Sequence, residues 1–337
     1  MDRSNAHALF TATASSPHVA ALWGWELSNE VVPDKVAPAA WVADVAALKA
    51  DAAAAFSAQG LAPPPFVGPD QSCCTAQKDV AAALPTPGIL SAITYHEYPE
   101  CTLATAGGVV LEPACLLHID SDAAGAVAAA ALAPPPAPQV WMGEGADHSG
   151  GGVAGLTDTF ASSFYTAWLY GASAQNGVSL TARQCLSGGD YELLQRGSFA
   201  PNPDFWTVWL FKTLFGGGVG VRAVEASAPP TSGVRVFAFE AAAGTGGTLA
   251  LLALNLQLGT PVAISIGGSG AGRARTEFHL TSPNVTAPHG DVFCNGEQLN
   301  MDPGTHAPPA WRGLGRPGAA GSPLTLAPAS IAFVLLQ

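Results

Sequence analysis

The stretch ALWGWELSNE, residues 21–30, is an apolar run with two tryptophans that ends abruptly in Asn29 and Glu30. A strand buried on both faces reads as a short, nearly continuous apolar run, and at the rim of a parallel sheet its last residues meet solvent and ligand. By itself an Asn-Glu after such a run marks only the start of a loop. A second segment of the same form changes that reading. QVWMGEGADHSGGG, residues 139–152, places Glu144 behind an apolar run just as Glu30 is placed.

Between and around these two segments, strand-like runs alternate with Ala-rich stretches at helical spacing. The candidate strands are LWGWEL (22–27), PFVGPD (65–70), AITYHEY (92–98), QVWMGE (139–144) and VSLTARQCL (178–186). The candidate helices include WVADVAALKADAAAAF, TDTFASSFYTAWLYGAS and PDFWTVWLFKTLFG. This alternation predicts a parallel sheet with crossover helices. Beyond residue 218 the texture changes to short alternating segments with Gly, Pro and Asn turns, such as VRVFAFEAA, TLALLALNLQ and RTEFHLTS, which predict an antiparallel sandwich. The expected division is 1–218 and 219–337, with the boundary in FGGGVGV (215–221).

The bulk numbers narrow the function. The 337 residues are 48% hydrophobic and 11% charged, enough for a large core and too apolar for disorder. A net charge of −12 argues against nucleic acid, anionic membranes and densely sulfated polysaccharides. The apolar tract AAGAVAAAALAPPPAP is cut by prolines before the roughly 20 residues a membrane span needs. The opening MDRSNAHALFTATASS lacks the apolar centre of a secretory leader. The six cysteines show no CxxC spacing, and adjacent strand residues such as His96 and Glu97 point to opposite faces, so no metal and no cofactor are expected. Asn284-Val285-Thr286 is a glycosylation sequon that matters in a secreted chain.

In a (β/α) barrel the C-terminal strand ends converge on one mouth, so Glu30 and Glu144 are expected to face one another across a pocket. Two facing carboxylates suit glycoside hydrolysis: in the retaining version, about 5–5.5 Å apart, one attacks the anomeric carbon while the other protonates the leaving oxygen and then activates water. Asn29 is placed to hydrogen-bond a sugar hydroxyl, and Tyr98 and Tyr191 to pack a ring and offer a hydroxyl. Gly150, Gly151 and Gly152 expose backbone N–H groups able to hold a carboxylate.

These segments resemble glycoside hydrolase family 79, heparanase and its relatives, in the large clan of retaining (β/α)8 glycosidases. GWELSNE resembles the clan's acid/base strand end, with Val31 where proline is usual, and VWMGEGADHSGGG resembles the nucleophile segment. LTDTFASSFYTAWLYGASAQNGVSLTARQCLSGGDYELL, PNPDFWTVWLFKTLFG and RTEFHLTSPNVTAPHGDVFCNGEQL continue the likeness in order. The resemblance implies Glu30 as acid/base, Glu144 as nucleophile, Asn29 as sugar contact, Tyr98 as support for the nucleophile, and uronate recognition at Gly150 and Gly151 with Tyr191 and Gln184 nearby. It implies an incomplete barrel, strands four to eight, followed by the sandwich, with strands one to three missing or supplied by an N-terminal partner chain. It further implies a substrate glycan or proteoglycan containing β-linked glucuronic acid, and a secreted, extracellular, lysosomal or vacuolar location with peripheral membrane or matrix association. Two other readings stand beside it: a non-catalytic, vestigial carbohydrate-binding homologue, and an exo-glycosidase of the same clan acting on neutral pentosides.

Overall fold

The computed structural model describes residues 3–216, 223–224 and 233–337. The chain divides into two compact units. The first comprises Met1–Glu97, Ser121–Glu144 and Gly177–Ala182; the second comprises Tyr98–Asp120, Gly145–Asn176 and Arg183–Gln337. The expected boundary at 218/219 lies outside the described residues.

Elements α1 (Ser4–Ala14), β1 (Trp25–Glu26), α2 (Pro38–Ser57), β2 (Phe66–Gly68), α3 (Thr75–Ala83), β3 (Ala92–Glu97), α4 (Pro113–Ala130), β4 (Gln139–Gly145), α5 (Phe160–Asn176) and β5 (Leu180–Arg183) alternate along the chain. The five strands form one parallel sheet whose spatial order equals their sequence order. Trp25 lies opposite Phe66 and Val67 opposite Ala92 in the parallel register. All five predicted strands are present, each shorter than or within one residue of its apolar run. Helix α2 begins with proline in its first turn and buries Trp41, Val45, Leu48, Ala52 and Phe56, a stripe at three- and four-residue spacing. Helix α1 seats Phe10 edge-on against Trp25 and Phe66. Over the sheet, Val67, Ala92 and Trp141 form an apolar layer with Leu180 packed on it. Helices α1, α3 and α4 lie outside the quoted candidate helices, although α3 and α4 fill crossovers that the alternation predicts. Helix α4 carries much of the apolar tract that stops before the prolines at 134–136.

The second unit continues with α6 (Pro203–Phe211) and a π-helical turn at Lys212–Gly216. Strands β6 (Ala223–Val224), β7 (Val234–Glu240), β8 (Leu249–Asn255), β9 (Val262–Ile264), β10 (Arg275–Thr281), β11 (Phe293–Cys294) and β12 (Glu297–Gln298) follow. A short helix α7 (Trp311–Leu314) precedes β13 (Arg316–Gly318), β14 (Leu324–Leu326) and β15 (Ser330–Leu336). An eight-stranded sheet runs β12-β11-β10-β15-β8-β7-β6 with β13 paired to β10, and β9 pairs with β14. Its central pairings, β10–β15, β15–β8 and β7–β8, are antiparallel.

Both faces of the large sheet are covered. Ala253, Ala332, Val334 and Leu336 on one face meet Leu324 and Leu326 of β14, with Ile264 of β9 packed alongside. From the other face, Phe239 meets Phe211 and Phe215, Phe333 meets Phe215, and Phe237 meets Trp168. This double burial is why LALLALN and SIAFVLL are almost wholly apolar, where a half-solvated strand alternates.

Four cysteines pair as Cys73–Cys74 and Cys101–Cys115, leaving Cys185 and Cys294 as thiols. The Cys101–Cys115 bond closes a loop of 14 residues across a Cα separation of 5.3 Å. A loop of that length constrains the unfolded chain by about 3 kcal/mol. Replacing both cysteines with serine is therefore expected to lower the urea-unfolding free energy of the oxidised protein by about 3 kcal/mol. An unchanged midpoint and slope would rule out the bond as a stabilising element.

Candidate active site

In the first unit the turn after β1 carries Asn29 and Glu30, both exposed. Ser28 and Glu30 adopt left-handed φ of 68° and 51°, a conformation that non-glycine residues hold only when their surroundings enforce it. Here the enforcement is visible. The Glu30 N–H donates to the Asp70 carbonyl at 2.9 Å, and the Trp41 indole N–H donates to Ser28 Oγ at 3.1 Å. Asp70 follows β2, and its own N–H donates to Thr94 Oγ1 on β3 at 2.8 Å. Three successive strand ends are thereby cross-tied by backbone and side-chain bonds.

At the centre stands His96 of β3, whose side chain is completely buried. Its Nδ1 lies 2.9 Å from Glu30 Oε1 and its Nε2 lies 2.9 Å from Asp70 Oδ1. Burial alone would push the imidazole down. The hydrogen bond and charge of Asp70, the hydrogen bond of Glu30 and the charge of Glu144 outweigh it, holding His96 up at about 9. At neutral pH the ring is an imidazolium, hydrogen-bonded through Nδ1 to Glu30 and lying 2.9 Å from Asp70 through Nε2. Glu30 and Glu144, the two glutamates singled out in the sequence, thus act on one buried cation.

The fit around this ring excludes a side chain at Gly143 of β4. A Cβ there would lie 2.5 Å from Asp70 Oδ1 and 3.6 Å from Thr94 Cβ. Glu26 of β1 joins the same group. It keeps an exposed edge, yet its carboxyl is pushed up to about 7, first by desolvation and next by the charge of Asp70. Neither Glu26 nor Asp70 was singled out in the sequence. The available signal was that Asp70 ends its apolar run PFVGPD as Glu30 and Glu144 end theirs. His96 and Glu97 turn to different partners, as strand alternation requires: Glu97 is buried and pushed up to about 9, by desolvation first and then by the charge and hydrogen bond of Asp122. Cys73, Cys74 and Asp122 bring ligand atoms within 4.8 Å of one another, but the disulfide between the cysteines removes the thiolates that would hold an ion.

The remaining sequence-predicted residues lie in the second unit. Gly150, Gly151 and Gly152 take φ of 65°, 103° and 89°, three successive left-handed positions that favour glycine. The Gly151 carbonyl accepts the Asp190 N–H at 2.6 Å, and a Cβ on Gly152 would lie 2.8 Å from the Tyr191 nitrogen, so the glycine run and the buried Tyr191 adjoin. Gln184 donates its N–H to the Gly145 carbonyl at 2.8 Å, and Tyr98 is half-buried at the end of β3. The second unit also holds a charge group that was not singled out in the sequence. Arg183, its side chain 1% exposed, bonds Asp204 at 2.7 Å, and the fully buried Asp147 feels the same guanidinium. Desolvation raises both aspartates against the pull of Arg183.

The His96 shift has a stability consequence of definite sign. A histidine raised from 6.5 to about 9 on folding contributes stability that is complete below pH 6.5 and disappears as pH rises through 9. The expected loss across that window is about 3 kcal/mol. Urea unfolding of wild type and His96→Gln between pH 6 and 10 checks it: the wild type is expected to fall more steeply than the variant, which keeps the raised Glu97, and parallel curves would refute the paired imidazolium.

No protein-family model matches the chain. Among curated proteins it is 33% identical over 163 residues to baicalin-beta-D-glucuronidase of Scutellaria baicalensis, covering 48% of this chain and 30% of that one. It is 32% identical over 230 residues to heparanase-like protein 1 of Arabidopsis thaliana (58% and 40%), and 40% identical over 103 residues to heparanase of Bos taurus (30% and 18%). The chain spans less than half the length of these relatives. Among solved structures, the GH51 arabinofuranosidase of Xanthomonas axonopodis pv. citri superposes with a TM-score of 0.65 at 12% identity, covering 98% of this chain and 72% of that one. The 4-O-alpha-L-rhamnosyl-beta-D-glucuronidase of Fusarium oxysporum 12S superposes with a TM-score of 0.65 at 15% identity (99% and 75%). These two show the fold alone; it is the curated sequences, at 30–40% identity, that bear out the resemblance to heparanase and its glycoside hydrolase family 79 relatives.

Proposed function

We propose that this chain carries the two-glutamate centre of a retaining glycoside hydrolase acting on β-linked glucuronic acid. The observation that carries the reading is that Glu30 and Glu144, each behind an apolar strand, both act on the buried His96. In this reading Glu144 attacks the anomeric carbon and Glu30 gives its proton to the leaving oxygen. Glu30 then takes a proton from water, which attacks the same carbon, displaces the Glu144 carboxylate and restores the configuration. His96 engages one oxygen of Glu30 and so orients the carboxyl, leaving the other for the glycosidic oxygen. The side chain of Glu30 is 47% exposed, open to a substrate.

Asn29 is assigned to a sugar hydroxyl and Tyr98 to support of the nucleophile, with the N–H groups of Gly150 and Gly151, Tyr191 and Gln184 assigned to the uronate. The names of the relatives, glucuronidase and heparanase, support this substrate class, and the chain's net negative charge favours a glycan with few sulfates. The open five-stranded sheet is read as strands four to eight of a barrel, since among the described residues β1 pairs only with β2 and β5 only with β4. The β9–β14 pair over the large sheet is read as the second layer of a sandwich. The Cys101–Cys115 disulfide supports an oxidising, secretory location.

Intact-mass analysis after incubation with a mechanism-based β-glucuronide inactivator tests the assignment. One adduct per chain is expected, localised to Glu144 and absent in Glu144→Gln. Glu30→Gln is expected to lose about 10²–10⁴ in kcat/KM, less with leaving groups that need no proton. Full turnover in either variant would sink the assignment, and faster cleavage of aryl pentosides than of aryl glucuronides would move the substrate class to neutral sugars.

A further inference from the structure

Glu100, two residues beyond Tyr98, has no part in the chemistry above, yet both of its carboxylate oxygens are engaged. Oε1 accepts the Ser149 N–H at 3.0 Å and Oε2 lies 2.9 Å from His148 Nδ1. The neighbouring Cys101 donates its N–H to the Asp147 carbonyl at 2.8 Å, and Cys101 is itself tied to Cys115. Two consecutive residues thus grip three, 147–149, just ahead of the glycine run. Behind it, Asp190 holds the Gly151 carbonyl at 2.6 Å.

Between these anchors lie Gly150 and Gly151. Glycine has almost no conformational preference of its own, so the direction of their N–H groups must be imposed from outside. Asp190 fixes one end of the run and Glu100 the other. Glu100 holds a left-handed φ of 52°, so its backbone too is held by its surroundings. The side chains of Glu100 and His148 are 47% and 29% exposed, and a pair so wetted adds little to global stability. Its effect is local. The pairing also engages a carboxylate that would otherwise repel an anionic ligand at the adjacent loop.

We propose that Glu100 is a positioning residue: by clamping His148 and Ser149 it sets the N–H groups of Gly150 and Gly151 to receive a carboxylate, and so favours a uronate over a neutral sugar. This rests on the uronate assignment made above. A helix or a second chain is not needed for it; the clamp and the loop belong to one compact unit.

Hydrogen exchange followed by mass spectrometry over peptides spanning 147–152 tests both levels, with sodium D-glucuronate as probe and D-glucose as the neutral control. In wild type, glucuronate slows exchange in this segment and glucose does not. In Glu100→Ala the ligand-free segment is expected to exchange at least about fivefold faster, with no protection by glucuronate and unchanged exchange elsewhere. Glu100→Gln, which keeps one acceptor oxygen, falls between the two and serves if the alanine variant does not fold. Exchange and protection in both variants equal to wild type would overturn the clamp. A loosened loop in Glu100→Ala with no glucuronate protection in wild type would support the clamp and overturn the uronate reading instead.

Discussion

The candidate site of the first unit depends on one buried ring. His96 has no exposed side-chain surface and meets Glu30 through one nitrogen and Asp70 through the other, both at 2.9 Å. A buried imidazole without such partners would be neutral; this one is charged because Asp70, Glu30 and Glu144 together outweigh its desolvation. The backbone geometry follows the same demand. The left-handed turn at Ser28 and Glu30, the Glu30 N–H on the Asp70 carbonyl, and the bare Gly143 beside the Asp70 carboxylate all serve to bring acids from separate strands onto one cation.

The second unit solves a different problem, the shaping of a flexible glycine run. Its means are contacts on either side: the buried Asp147 near Arg183, the Glu100 carboxylate on His148 and Ser149, and the Asp190 N–H on Gly151. Buried charges stabilise little when their desolvation is counted, and exposed pairs little more. What such groups provide here is direction, because each bond is made to a backbone or side chain at a stated position.

Much of the architecture was legible in the pattern of apolar residues. Each of the five parallel strands lies within its predicted run or extends one residue past it, since a strand buried between layers must be apolar along its length. Helices α2, α5 and α6 announced themselves as well, α2 through its stripe from Trp41 to Phe56. Helices α3 and α4 were legible only as crossovers that the strand–helix alternation requires, and α1 was not legible. In the second unit the antiparallel strands were legible, while the covering of both sheet faces by β14 and by Phe211 and Phe215 was not.

For the site the division is sharper. The sequence alone determined that Glu30 and Glu144 end apolar runs, that three glycines follow Glu144 at a short interval, and which family those segments resemble. These are properties of local order, and local order is what a chain displays before it folds. Only the tertiary structure decided that His96 meets Glu30, that Asp70 and Glu26 belong beside it, and that Glu100 reaches Ser149 across 49 positions. The physical reason is that the charge state of a group and the direction of a hydrogen bond depend on distances of a few ångströms between residues far apart in the chain, and those distances exist only once the strands are side by side.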